Sequence, residues 1–193
     1  MYVYYTEHSR ADDDDKNREV QICLARCPVG DKAPAPGSFV KYHQGEFKQP
    51  GPGGLDTPVL SAQADDQAQA MYPHVVYMPT LKKYVMILSI NHWKEYVNKT
   101  GLKKSGIYMS FSEDGIRWSK PQRLLVDWAV PLAGRSLSWE ATLLLDQDDG
   151  LEGWLLYAYS PRWGHPQTGN VPHYLVGRRL RFERKPGGDG RSP

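Results

Sequence analysis

Three stretches of the chain repeat the same order of parts, and this repetition limits the fold more than any other feature. Tyr2 to Arg10, Tyr84 to Trp93 and Trp154 to Trp163 are each an aromatic and aliphatic run that ends in a polar cluster of His, Asn, Arg or Trp. A second run follows each of them, at Val20 to Arg26, Gly106 to Ser112 and Tyr174 to Leu180. Runs of this length, rich in Tyr, Val, Ile and Leu and bounded by turn residues, read as strands. No window of about eleven residues carries a 3.6-residue apolar period unbroken by Gly or Pro, so helices are not expected.

A small antiparallel sheet has two apolar faces, and stacking equivalent sheets side by side covers both. The fold class is therefore all-β, a partial β-propeller of about three four-stranded antiparallel blades. The blades are expected at about 1–60, 71–128 and 136–182, within a single domain over 1–185. The Gly-rich end at 186–193 reads as a disordered tail. Residues 61–70, polar and rich in Ala and Gln, read as a linker or a short helical turn.

Composition excludes more than it identifies. The net charge is +2 with both signs interspersed, so there is no basic stripe for nucleic acid. No apolar run approaches a membrane span and no basic and apolar leader opens the chain, so a soluble protein is expected and its compartment stays open. The two cysteines, Cys23 and Cys27, are four apart on one expected strand, which puts their Cα atoms about 13 Å apart and beyond disulfide reach. They read as free thiols. With no His pair beside them they make no zinc site, and neither a metal nor a cofactor is expected. Twelve Tyr and six Trp suit both core packing and the faces of sugars.

Five segments carry candidate chemistry. Ser138-Trp139-Glu140-Ala141 opens an apolar strand that returns, after Asp148-Asp149-Gly150, along Trp154 to Ser160; this is a hairpin with Glu140 at its open end. In Gln49 to Pro58 the glycines permit tight turns, and Asp56 either caps a turn or faces a ligand. The Asp12-Asp13-Asp14-Asp15-Lys16 run reads as a solvated hairpin tip, and Asn98-Lys99-Thr100 fits a glycosylation sequon. Ser112-Glu113-Asp114-Gly115-Ile116-Arg117-Trp118 resembles the Ser-x-Asp-x-Gly-x-x-Trp turn of sialidase-type propellers, with one residue fewer between Asp and Gly. In that turn Ser and Asp cap backbone N–H groups and Trp wedges between strands, so a structural role is expected.

With the blades in place, the chain resembles part of a five-bladed β-propeller of the arabinofuranosidase and xylosidase type. The resemblance rests on Tyr72-Pro73-His74, on Ser112 to Trp118 and on Trp139-Glu140-Ala141. It implies a glycoside hydrolase in which Glu140 is the general acid, although Thr142 stands where a Pro is common. Hydrolysis with inversion needs a second carboxylate about 6.5–9.5 Å away, and Asp56 is the candidate base. Trp139 would shield Glu140 from water. His74, His92, Trp93, Arg162, Trp163 and His165 would line the funnel and hold a carbohydrate. Five blades need about 300 residues, so the resemblance also implies missing N-terminal blades or self-association.

The alternative is a non-catalytic carbohydrate-binding or interaction module, or a truncated inactive fragment, on the same scaffold. A second carboxylate near Glu140 separates it from the enzyme. An acyl-transfer enzyme is disfavoured, because the chain holds no Gly-x-Ser-x-Gly elbow.

Overall fold

A computed structural model describes residues 1–8, 20–30, 34–35, 37–62, 68–92, 104–126, 137–146, 150–160 and 173–183. They form twelve strands and no helix. The strands are β1 (Tyr2–His8), β2 (Val20–Arg26), β3 (Val40–His43), β4 (Glu46–Pro50), β5 (Leu60–Ser61), β6 (Ala68–Met78), β7 (Lys83–His92), β8 (Gly106–Ser112), β9 (Gln122–Val126), β10 (Leu137–Leu145), β11 (Glu152–Ser160) and β12 (Tyr174–Arg181). They assemble into three antiparallel sheets, the arrangement of a partial β-propeller. Sheet I runs β1-β2-β3-β4, with β5 also on β2; sheet II runs β6-β7-β8-β9; sheet III runs β10-β11-β12.

The three sheets hold five, four and three strands, against about four expected for each blade. The fifth strand of sheet I is β5, which pairs with β2 at Gln21 and Ile22 while the β3–β4 hairpin meets β2 at Ala25 and Arg26. That hairpin turns at Gln44-Gly45 with positive φ at both residues, the geometry that lets two strands return with the right twist. Its second strand, Glu46–Pro50, extends into a stretch whose prolines and glycines read as turn. Strand β6 likewise begins at Ala68, inside the segment expected as linker.

The sheets stack in chain order. Strand β6 packs on β1 and β2, and β10 packs on β6, β7 and β8. Sheet II is thus covered on both faces, which explains why Val85-Met86-Ile87-Leu88-Ser89-Ile90 in β7 is buried without alternation. Met86, Leu88 and Ile90 face sheet I, where they meet Ile22 and Leu60. Val85 and Ile87 face sheet III, with Ile107 beside them and Leu143, Leu155 and Tyr157 opposite. Each such side chain contributes about 1.5–3 kcal/mol on burial. Cys23 and Cys27 are buried free thiols.

Sheet III alternates, because the described residues cover one of its faces. Leu155 is fully buried while its neighbour Trp154 is 46 % exposed. Leu144 pairs with Trp154 and shares that outward face, as does Leu175 opposite Ala158. They are 50 % and 77 % exposed.

Candidate active site

The inner edge strands β6 and β10 are interrupted in the same way. In β6 the pairing with β7 shifts between Met71 and His74; in β10 the pairing with β11 shifts between Trp139 and Thr142. Each interruption is a β-bulge, which bends the strand and re-aims a side chain. The residue after the first pair takes positive φ in both strands, 55° at Tyr72 and 52° at Glu140. For a side chain with a Cβ this is a strained conformation, worth about 1–3 kcal/mol, that persists only where its surroundings hold it. Glu140 is exposed, and its carboxylate has no hydrogen-bond or ion-pair partner among the described residues.

Two backbone latches hold the bulges. The Tyr72 N–H donates to Thr6 Oγ1 on β1 at 3.1 Å, and the Leu143 N–H, just beyond the second bulge, donates to His74 Nδ1 at 3.2 Å. His74 therefore bridges sheets II and III, and its half-buried imidazole has its pKa lowered by desolvation. An Nδ1 that accepts leaves the proton of the neutral ring on Nε2. Trp139 is half-buried, and its ring meets that of His173 edge to face at 5.1 Å.

Two further expected residues, Asp56 and His92, are among those described. Asp56 lies in the loop after β4, where its Oδ2 accepts from Tyr5 Oη and Lys41 Nζ, both at 3.0 Å. Lys41 and Asp56 are each 15 % exposed. Burial, and next the bond to Asp56, push the Tyr5 phenol well above its ordinary range, and burial followed by Asp56 does the same to the Cys23 thiol. That thiol is no nucleophile. His92 closes β7, its N–H donating to Ser105 Oγ at 2.9 Å. Trp93, Arg162, Trp163 and His165 lie outside the described residues, as do the Asp12–Lys16 run, Asn98-Lys99-Thr100 and 186–193.

The Ser112–Trp118 turn is built as a cap. Ser112 Oγ accepts from the N–H groups of Asp114 and Gly115, and Asp114 Oδ1 from those of Ile116 and Arg117. Trp118 reaches sheet I, its ring edge to face with Tyr4 at 5.7 Å. A cleft of about 450 Å³ opens beside the turn, lined by Lys83, Phe111, Glu113 and Arg117 among others. None of the candidate site residues lines it.

No family model matches the sequence, and no curated protein does. Solved structures match the fold. An N-acetylgalactosamine deacetylase from F. plautii, solved in complex with blood group B trisaccharide, matches with a TM-score of 0.50 at 13 % identity. A complex of BT0996 with RGII matches at 0.51 and 15 %, and a glycoside hydrolase at 0.50 and 14 %. The likeness is one of fold. The comparison covers 92 %, 95 % and 95 % of this chain but 46 %, 49 % and 49 % of theirs, so the chain spans about half their length.

The two bulges and the positive φ at Tyr72 and Glu140 are not signalled by residue type. Positive φ at Tyr or Glu leaves no compositional trace, unlike positive φ at Gly. A trace was present in the alignment of the two edge strands, which sets Met71-Tyr72-Pro73-His74 against Trp139-Glu140-Ala141-Thr142.

Proposed function

We propose that this chain forms part of a carbohydrate-acting β-propeller of glycoside hydrolase type, with Glu140 as the proton donor. The observation that carries the reading is the strained, exposed and unpaired Glu140 on an inner edge strand. In the reaction Glu140 would protonate the glycosidic oxygen as its bond to the anomeric carbon breaks, and water, losing a proton to a base, would add to that carbon. Asp56, ion-paired to Lys41, is the base this reading carries. Trp139 and His74 flank the acid, and His92, Trp93, Arg162, Trp163 and His165 extend the sugar-binding rim. Self-association or further blades would cover the open face of sheet III.

A second reading, a carbohydrate-binding module without hydrolysis, is favoured by one fact: β6 and β10 together supply one carboxylate, Glu140. Hydrolysis of a panel of nitrophenyl glycosides by the wild type and by Glu140→Gln decides between them. Loss of about 10²–10⁴-fold in rate with sugar binding kept is the expected result for the acid. A wild type that binds sugars and hydrolyses none of the panel selects the second reading.

A further inference from the structure

The geometry points to Tyr72 as a stacking platform for a pyranoside ring, placed on the sheet next to that of Glu140 and in the same site. This rests on the carbohydrate reading above, though not on Glu140 being an acid. Four described residues other than glycine take positive φ: Gln44, Tyr72, Lys82 and Glu140. Gln44 and Lys82 lie in the hairpin turns β3–β4 and β6–β7, where that conformation is ordinary. Tyr72 and Glu140 alone lie inside strands, and the two bulges put them at equivalent positions on their sheets.

Strands β6 and β10 are in contact, tied by the bond between Leu143 and His74. Stacked sheets sit about 10 Å apart, so side chains that project from the two bulges can reach one ligand between them. Tyr72 is 44 % exposed, and its ring has no aromatic neighbour or phenol hydrogen bond among the described residues. Neither the packing nor a polar partner accounts for a strained aromatic there. A sugar with an apolar C–H face does, as β-xylo- and β-galactopyranosides have, because a Tyr ring offers a rigid flat surface with a wet edge. The Thr6 latch on its N–H keeps the backbone in the conformation that presents the ring.

Titration with methyl β-D-xylopyranoside and methyl β-D-galactopyranoside, followed by saturation-transfer NMR, tests this. The wild type is expected to bind at least one. Tyr72→Gly, which suits positive φ and so leaves the bulge relaxed, is expected to melt no lower than the wild type while binding falls by about tenfold or more. Tyr72→Phe is expected to stay within about threefold of the wild type, since the ring is kept. In protein labelled with 3-fluorotyrosine, the resonance missing from Tyr72→Phe should shift when sugar is added.

No binding of either glycoside by the wild type overturns the proposal. So does unchanged binding by Tyr72→Gly, or a Tyr72 resonance that does not move in a sugar-bound sample. If Glu140→Gln leaves hydrolysis intact while Tyr72→Gly loses binding, the platform stands and the acid assignment falls.

Discussion

The backbone N–H of Leu143 on β10 donates to Nδ1 of His74 on β6, so a side chain of one sheet satisfies the backbone of the next beside a β-bulge. Strand β10 is the edge of its sheet, so its outward N–H groups have no ladder partner, and a half-buried one left so would cost about 1–3 kcal/mol. The imidazole can accept only while Nδ1 carries no proton, which ties the joint between sheets II and III to pH.

Stability should therefore fall on the acid side. Burial lowers the pKa of His74 from its ordinary 6.5. Between that lowered value and 6.5 the unfolded chain binds a proton that the folded chain does not, so stability is fully present above 6.5 and is lost as pH falls through this window. Thermal melts from neutral to acid pH should show the loss in the wild type and a flatter profile in His74→Asn, whose amide oxygen accepts without titrating. His74→Ala should lose about 1–3 kcal/mol at neutral pH and differ less from the wild type at acid pH, where the wild type loses the same contribution. Parallel profiles for wild type and His74→Asn would refute the link.

At Gly115 the Ser112–Trp118 turn lies close against sheet I. The glycine takes φ of +75°, and a Cβ there would stand 2.7 Å from Tyr4 Oη, which donates to the Gly115 carbonyl at 2.7 Å. Gly115→Ala should destabilise by about 1–3 kcal/mol in urea unfolding, through strain and contact together. Tyr4→Phe, which removes only the donor, should cost about 1 kcal/mol. A neutral Gly115→Ala would mean that the turn can move away from sheet I.

The architecture was legible because it rests on periodicity. The matching of Tyr84 to Trp93 with Trp154 to Trp163 located β7 and β11, and Ser112 to Trp118 announced its own hydrogen bonds, since Ser and Asp caps are local. What escaped depends on contacts far apart in sequence. Nothing near Asp56 names Tyr5 or Lys41 as its partners, and nothing near Thr6 says that it will hold Tyr72. Hydrophobic alternation also fails in β7, where both faces are covered, so its burial reflects the neighbouring sheets and not its own pattern.

Asp56 serves as an anchor whether or not it acts as a base. It joins β1 through Tyr5 and β3 through Lys41, with both members of the ion pair largely shielded from water. Asp56→Ala leaves a shielded ammonium and phenol without their acceptor and should lower stability by about 3–5 kcal/mol. Asp56→Asn keeps an oxygen for Tyr5 and should cost less. A base would show itself differently, as a fall in glycoside hydrolysis in a folded Asp56→Asn. Full hydrolysis in that variant would leave Asp56 as an anchor alone.

Aligning the bulge of β6 with that of β10 equates Val76, Val85, Ile87 and Ile107 of sheet II with Leu144, Trp154, Leu156 and Leu175 of sheet III. In sheet II those residues pack against sheet III, with Val85, Ile87 and Ile107 fully buried. Sheet III therefore repeats, at its outward face, the surface on which a neighbouring sheet already sits once. The same face carries Arg179 ion-paired to Asp146 and Glu152, so both signs of charge border the apolar centre and the surface can meet a copy of itself. Sedimentation velocity across a concentration series should show reversible self-association, since each Leu or Trp covered contributes about 1.5–3 kcal/mol before the costs of association. A double variant, Trp154→Glu with Leu175→Glu, should sediment as a monomer with an unchanged circular dichroism spectrum. A wild type that stays monomeric throughout would mean that this face is not covered by a second copy.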